Sequence, residues 1–180
     1  MGRNAENLSK SSIWRFDLFM ILVMLGTQNN SFHRLLEEID NLIKKGVIKE
    51  KVIVQAGYTE YKTINKQMKI LKLMPLDELE DLIEQADLII THGGVGSIAM
   101  SLKRGKKVIA VPRLHEYHEH VNNHQKEIVQ TYDEKGYIVG VQDVKELQEA
   151  LSKIKNFEPK KYQTNNQKML KIIEDFIDKI

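Results

Sequence analysis

The chain has 180 residues, 42% of them hydrophobic and 29% charged, with a formal net charge of +2; these are the proportions of an ordinary globular domain with its own core. That charge is too small to argue for nucleic acid on electrostatic grounds. The absence of cysteine excludes disulfides and thiolate metal sites and fits a reducing compartment.

The apolar run Phe19 to Leu25, preceded by Leu18, is strand-length and well below the roughly 20 residues of a spanning helix. Residues 1–19 are polar and then mixed, with Trp14, Phe16 and Phe19, and lack the apolar stretch of a signal peptide. They read as an N-terminal extension, expression-derived or carried over from upstream, to a domain of residues 20–180. The functional alternative is a short amphipathic anchor at a membrane surface.

Met20 to Leu25, ending at Gly26, predicts a fully buried strand. Asn29, Asn30 and Ser31 are capping residues for a helix whose Phe32, Leu35, Leu36, Ile39, Leu42 and Ile43 recur at helical spacing and which Gly46 closes. Lys51 to Ala56 and Lys69 to Leu73 predict the next two strands. Pro75 opens a helix with Asp77 and Glu78 in its first turn, where the helix dipole favours acids. Asp87 to Thr91 predicts a fourth strand running into His92-Gly93-Gly94-Val95-Gly96-Ser97 and a helix that Gly105 stops. Lys107 to Val111 is the fifth strand, ended by Pro112. A polar segment from Tyr117 to about Glu134 reads as helical, Tyr137 to Val141 as the sixth strand, and Asp143 caps a helix to about Lys153. A last helix is expected over about 161–180, with Met169, Ile172, Ile173, Phe176 and Ile180 on one side.

Strands alternating with helices imply parallel pairing and right-handed crossovers, hence an α/β, doubly wound, Rossmann-like sheet. Such sheets bind ligands beyond the carboxyl ends of their strands, where the strand order switches. That rule selects three loops: Gly26-Thr27-Gln28, the glycine-rich turn after Thr91, and the segment after Val111.

Glycines at a strand-to-helix switch let backbone approach a ligand, and the free N–H groups of the following helix suit a phosphate or diphosphate. Ser97 adds a hydroxyl. The alternative is a tight turn with no ligand. Gly94-x-Gly96-x-x-Ala99, with Glu116 or Glu119 roughly 20 residues on, also matches the loose dinucleotide fingerprint, but on the fourth strand rather than the first. It is not a P-loop, since Lys106 is followed by Lys107. The segment Pro112 to Gln125 holds His115, His118, His120 and His124. The i, i+4 spacing of His120 and His124, and of Glu116 and His120, invites a metal reading. A loop and helix start that meets a polar ligand is preferred, and no metal is expected; a plain solvated face is the third reading.

Thr91-His-Gly-Gly-Val-Gly-Ser-Ile, followed by Leu102-Lys-Arg-Gly-Lys-Lys-Val-Ile-Ala-Val-Pro112-Arg, resembles the C-terminal half of family 28 glycosyltransferases. It is most similar to small single-domain members, the eukaryotic Alg13-type subunit and bacterial relatives in capsule and exopolysaccharide loci. Met20-Ile-Leu-Val-Met-Leu-Gly-Thr-Gln-Asn-Asn-Ser-Phe-His-Arg-Leu resembles the family's opening strand and loop. Pro112-Arg-Leu, then Tyr117-His-Glu-His-Val-Asn-Asn-His-Gln125, resembles the bacterial subgroup, which has glycine at His118 and aspartates at Asn122 and Asn123. Many family members carry a ribose-binding glutamate at the position of Met100.

The resemblance implies a GT-B C-terminal half that holds a UDP-sugar as substrate, with no cofactor. The donor would lie against Gly26, Thr27 and Gln28, the turn His92 to Ser97, and Pro112, Arg113, Glu119, His120, Asn123, His124 and Gln125. It implies a separate membrane-associated acceptor-binding subunit that supplies the base, and an acceptor of polyprenyl-diphosphate sugar at the inner face of the cytoplasmic membrane. On this reading the chain is inactive alone, and self-association of the isolated protein can partly cover the surface meant for its partner. Phe176, Ile177 and Ile180 are docking candidates, although burial in the chain's own core is the preferred reading for them. A non-catalytic subunit that stabilises a partner transferase, and more remotely a nicotinamide-dependent reductase, are the competing functions.

Overall fold

A computed structural model describes residues 19–162. Its elements follow in the order β1 (Met20–Met24), α1 (His33–Lys44), β2 (Lys51–Gln55), β3 (Met68–Leu71), α2 (Leu76–Gln85), β4 (Leu88–His92), α3 (Val95–Lys103), β5 (Lys107–Val111), α4 (His124–Glu134), β6 (Val139–Gly140) and α5 (Leu147–Lys153). All strand pairs are parallel, in the order β3-β2-β1-β4-β5-β6. The chain grows outward from β1 to β3, then returns to place β4 beside β1. The crevice between β1 and β4 is therefore the switch point.

The apolar strands are buried on both faces because each face has helices. Ile21 and Val23 of β1, and Leu25 just after it, join Leu35, Ile39 and Leu42 of α1 and Leu147 and Leu151 of α5 in one cluster. Met20, Leu22 and Met24 point the other way, to Ile83 of α2, Ile98 and Leu102 of α3 and Val129 of α4. This is the period-2 alternation of a strand read into two cores at once. Full burial of each such side chain contributes about 1.5–3 kcal/mol.

The crossover from β2 to β3 carries no helix and is fastened to α1 by polar bonds. Asp40, buried on α1, accepts from Thr63 Oγ1 at 2.6 Å, Asn65 Nδ2 at 2.6 Å and Tyr61 Oη at 3.3 Å. Asp143, expected to cap a helix to about Lys153, caps instead the 3-10 turn Val144–Glu146 that leads into α5, its Oδ1 accepting from Lys145 N at 3.0 Å.

Two expectations are corrected. Residues 117–134 are not one helix: a 3-10 turn at His115–Tyr117 ends at His118, with φ of 58°, and α4 begins at His124. That φ is the left-handed region, where glycine is at ease. Asn122 Oδ1 accepts from His124 N at 3.1 Å, a side-chain turn that competes with helix, and Asn123 Oδ1 accepts from His115 N at 2.8 Å across the segment. The sixth strand pairs over Val139–Gly140 alone, against Ile109 and Ala110. The last expected helix, with Phe176, Ile177 and Ile180, lies outside the described residues apart from Lys161 and Tyr162, which are not helical; residues 1–18 lie outside them too.

Candidate functional site

Three turns meet at the switch point. The first follows β1, where Gly26 has φ of 77°. Gln55, the buried last residue of β2, bonds both backbone groups of Gly26. Its Oε1 accepts from Gly26 N and its Nε2 donates to Gly26 O, each at 3.2 Å. Gly57 closes the same corner: with φ of 59°, a Cβ there would overlap Gly26 O. Neither Gln55 nor Gly57 was among the expected site residues. The visible signal was a glutamine ending an otherwise apolar strand.

His92 ends β4 in the centre of the site. Its Nδ1 lies 3.3 Å from Met24 O; a carbonyl only accepts, so Nδ1 carries the proton and Nε2 is a bare acceptor. The ring is held between two glycines: a Cβ on Gly26 would come within 2.7 Å of Cε1, and one on Gly94 would overlap Nε2. Burial, and then the charge of Arg113, push the imidazole down to about 4, although the Met24 carbonyl favours its protonated form. His92 is therefore neutral near pH 7.

This has a measurable consequence. The unfolded chain takes up the proton near the ordinary histidine value of about 6.5, while the folded chain takes it up only near 4. The stability of the neutral, buried ring is thus present above about pH 6.5 and is lost as pH falls toward 4. Between about pH 7 and 4.5 the protein should lose roughly 2–3 kcal/mol more than its H92Q variant in urea unfolding. Equal losses in the two proteins would refute the buried neutral ring.

The second turn leads into α3. Gly94 is its N-cap residue, no side chain caps it, and the first bond of the helix is Ile98 N to Gly94 O at 3.2 Å. The N–H groups of Val95, Gly96 and Ser97 are therefore those that a helix start leaves for a ligand. Gly96 and Ser97 of this turn line a cavity of about 450 Å³, the size range of small-ligand pockets. Of the residues expected from the sequence, Gly26, Thr27, Gln28, His92, Gly93, Gly94, Gly96 and Ser97 line it, with His120, His124 and Gln125 from the third turn. Met24, Gln55, Leu76, Leu79, Met100 and Ile128 complete it. The apolar contributors from α2 and α4 were not foreseen, because nothing in their local pattern separates a cavity wall from a core face.

The remaining expected residues have other places. Val95 is exposed, and Pro112 is buried after β5. Arg113, expected in the crevice, is fully buried outside its lining. Its Nη2 donates to Leu25 O at 2.7 Å and its Nη1 to Asn30 O at 2.7 Å and Glu119 O at 3.3 Å, while the guanidinium lies 4.9 Å over the Phe32 ring. Burial lowers its pKa to about 10, against the opposing effect of Glu119; it stays a cation. Glu119, also expected at the donor, turns inward to hold Arg34 at 3.0 and 2.9 Å and to accept Leu114 N at 3.0 Å. It is thus not free to hold the ribose of a dinucleotide. Asn123 is spent on His115. Gln125 reaches the cavity and also ties two walls together, its Oε1 accepting from Gly93 N and Arg113 N, each at 3.0 Å.

The histidines of this segment disperse. His115, His118 and His124 are exposed, and His124 Nδ1 pairs with Glu127 at 3.0 Å. His120 Nε2 lies 3.2 Å from Gln28 Nε2, and its Nδ1 accepts from Asn122 N at 3.3 Å. With the proton thereby on Nε2, the amide oxygen of Gln28 is the atom that belongs opposite it. Among the described residues no three His, Asp or Glu side chains gather as metal ligands.

Residues 20–180 match the glycosyltransferase family 28 C-terminal domain. Over 79 residues the chain is 33% identical to the UDP-N-acetylglucosamine transferase subunit ALG13 of Candida glabrata, covering 43% of this chain and 38% of that protein. The chain therefore spans well under two thirds of that relative. An NMR solution structure of ALG13 superposes with a TM-score of 0.54 at 19% identity, over 84% of this chain and 93% of that one. The UDP-GlcNAc 2-epimerase of Methanocaldococcus jannaschii, crystallised with UDP-GlcNAc and UDP, superposes with a TM-score of 0.58 at 18% identity, over 89% of this chain and 46% of that one. At such identities the superpositions speak for the fold alone, and one fold carries both transferase and epimerase chemistry.

Proposed function

Because this chain belongs to the glycosyltransferase family 28 C-terminal domains, we propose that its cavity holds a UDP-sugar as the donor of an inverting sugar transfer. The carrying observation is the cavity at the switch point, opened onto the uncapped start of α3. There the diphosphate meets backbone N–H groups and the positive end of the helix, which stabilise charge developing on the leaving UDP. The name of the Candida glabrata relative supports both a UDP-linked donor and a subunit role. No cofactor takes part, since the UDP-sugar is itself the substrate.

Attack comes from an acceptor hydroxyl on the face of the sugar opposite UDP, and a base must take that proton. The buried imidazole in the cavity is held near 4, poorly matched to this task at neutral pH. The described residues build one Rossmann-like sheet, whereas a GT-B transferase has two lobes. The subunit role in the name of the Candida glabrata relative supports placing the base and the acceptor on a membrane-associated partner subunit. The acceptor is a polyprenyl-diphosphate-linked sugar at the inner face of the cytoplasmic membrane, and the product a longer lipid-linked saccharide for polysaccharide synthesis. Among the described residues no helix is long and apolar enough to cross a membrane; attachment through the partner is part of the same reading.

Two measurements test this. Calorimetric titration with UDP should show binding by the chain alone; absence of binding would leave a subunit that merely stabilises its partner. Transfer from UDP-sugars to a polyprenyl-linked acceptor should require the partner. Robust transfer by the purified chain alone would rule out the divided enzyme.

A further inference from the structure

The cavity has an uneven chemistry. One wall is apolar, built from Leu76 and Leu79 of α2, Met100 of α3 and Ile128 of α4. The other offers backbone and neutral amides, hydroxyls and imidazoles. Among the described residues no Asp, Glu, Lys or Arg lines it, so a bound nucleotide finds no carboxylate to accept from its sugar hydroxyls.

Where the ribose lies follows from α3. Met100 comes four residues after Gly96 and three after Ser97, which puts the three on one face of the helix, about one 5.4 Å turn apart. Long helical side chains lean back over the preceding turn, so Met100 covers the approach to the N–H groups of residues 95–97. A diphosphate seated on those groups can lay its ribose, one phosphoester away, along that face. The ribose 2′-hydroxyl is a donor in need of an acceptor, and a thioether is a weak one. Sites that discriminate strongly for a hydroxyl do so by leaving a buried polar partner unpaired when it is missing, and an apolar wall has no such partner to leave.

We propose that the apolar wall centred on Met100 makes this donor site indifferent to the ribose 2′-hydroxyl, so that it takes ribo- and 2′-deoxyribonucleoside diphosphates alike. The inference rests on the UDP-sugar reading above and concerns which nucleotides that site admits.

The test is calorimetric titration of the full chain with UDP and with 2′-deoxy-UDP, repeated on Met100→Glu. The wild-type dissociation constants should agree within about threefold. M100E should open a preference for UDP of about tenfold or more, the usual effect of a hydrogen bond to a charged group. The measure is the ratio of the two affinities, because a new carboxylate also repels the diphosphate of both ligands. Met100→Gln supplies a neutral acceptor should M100E fail to fold, and should open a smaller preference in the same direction. A wild-type preference for UDP of tenfold or more would overturn the inference while leaving the donor site standing. An unchanged ratio in both folded variants would overturn the assignment to Met100. Failure of the wild type to bind either nucleotide would defeat the donor-site reading itself, and the inference with it.

Discussion

Replacing Gly96 with leucine should abolish UDP binding, by a hundredfold or more, without harming the fold. A Cβ at Gly96 meets nothing within 4 Å, and Gly96 lines the cavity in the first turn of α3. The new side chain therefore occupies space that the diphosphate needs. Leucine is also a better helix former than glycine, by up to about 1 kcal/mol, so the melting temperature should hold or rise slightly. Loss of a ligand without loss of stability separates occupation of the site from damage to it. Neighbouring glycines give no such separation. A Cβ on Gly94 overlaps His92 Nε2, and Gly26 combines φ of 77° with a contact to the same ring, so substitution at either moves the imidazole as well. A folded G96L chain that binds UDP within threefold of wild type would end the diphosphate assignment.

Replacing Arg113 with methionine should cost about 3–5 kcal/mol, since hydrogen bonds from a charged donor to three carbonyls are lost at once. The guanidinium joins Leu25 O and Asn30 O, on the opening loop, to Glu119 O in the segment after β5. Methionine fills similar space but leaves those carbonyls without their donor, at about 1–3 kcal/mol for each that stays buried. Since a domain holds only about 5–15 kcal/mol in total, R113M should remain folded with little margin and a loosened cavity wall. Arg113→Lys keeps the charge but not the planar fork that reaches several carbonyls at once, and should fall between the two. Urea unfolding decides it: an R113M midpoint that corresponds to less than about 1 kcal/mol would show that the strap is not a source of stability.

Much of this protein was legible in the sequence. The apolar runs at Met20–Met24, Leu88–His92 and Lys107–Val111 stand between helical periodicities, and a chain that alternates in this way has few foldable outcomes besides a parallel sheet with helices on both faces. Switch-point logic then selected the turns after β1, β4 and β5, and glycines at Gly26, Gly93 and Gly94 marked where backbone is closely approached. These are local rules, written in periods of 2 and 3.6 and in the conformational freedom of single residues. The direction of a polar side chain has no such signature. Arg113 and Glu119 stand in the same polar stretch as His120, His124 and Gln125, and residue type cannot say which turn inward. Burial decided it: β1 presents the carbonyl of Leu25 where only a long, forked cation reaches, and Arg34 of α1 lies within reach of Glu119. The protonation of His92 and the apolar wall of Leu76, Leu79, Met100 and Ile128 are likewise tertiary facts. Both arise where elements distant in the chain meet around the crevice between β1 and β4, and the desolvation that keeps one imidazole neutral exists only once those elements have closed over it.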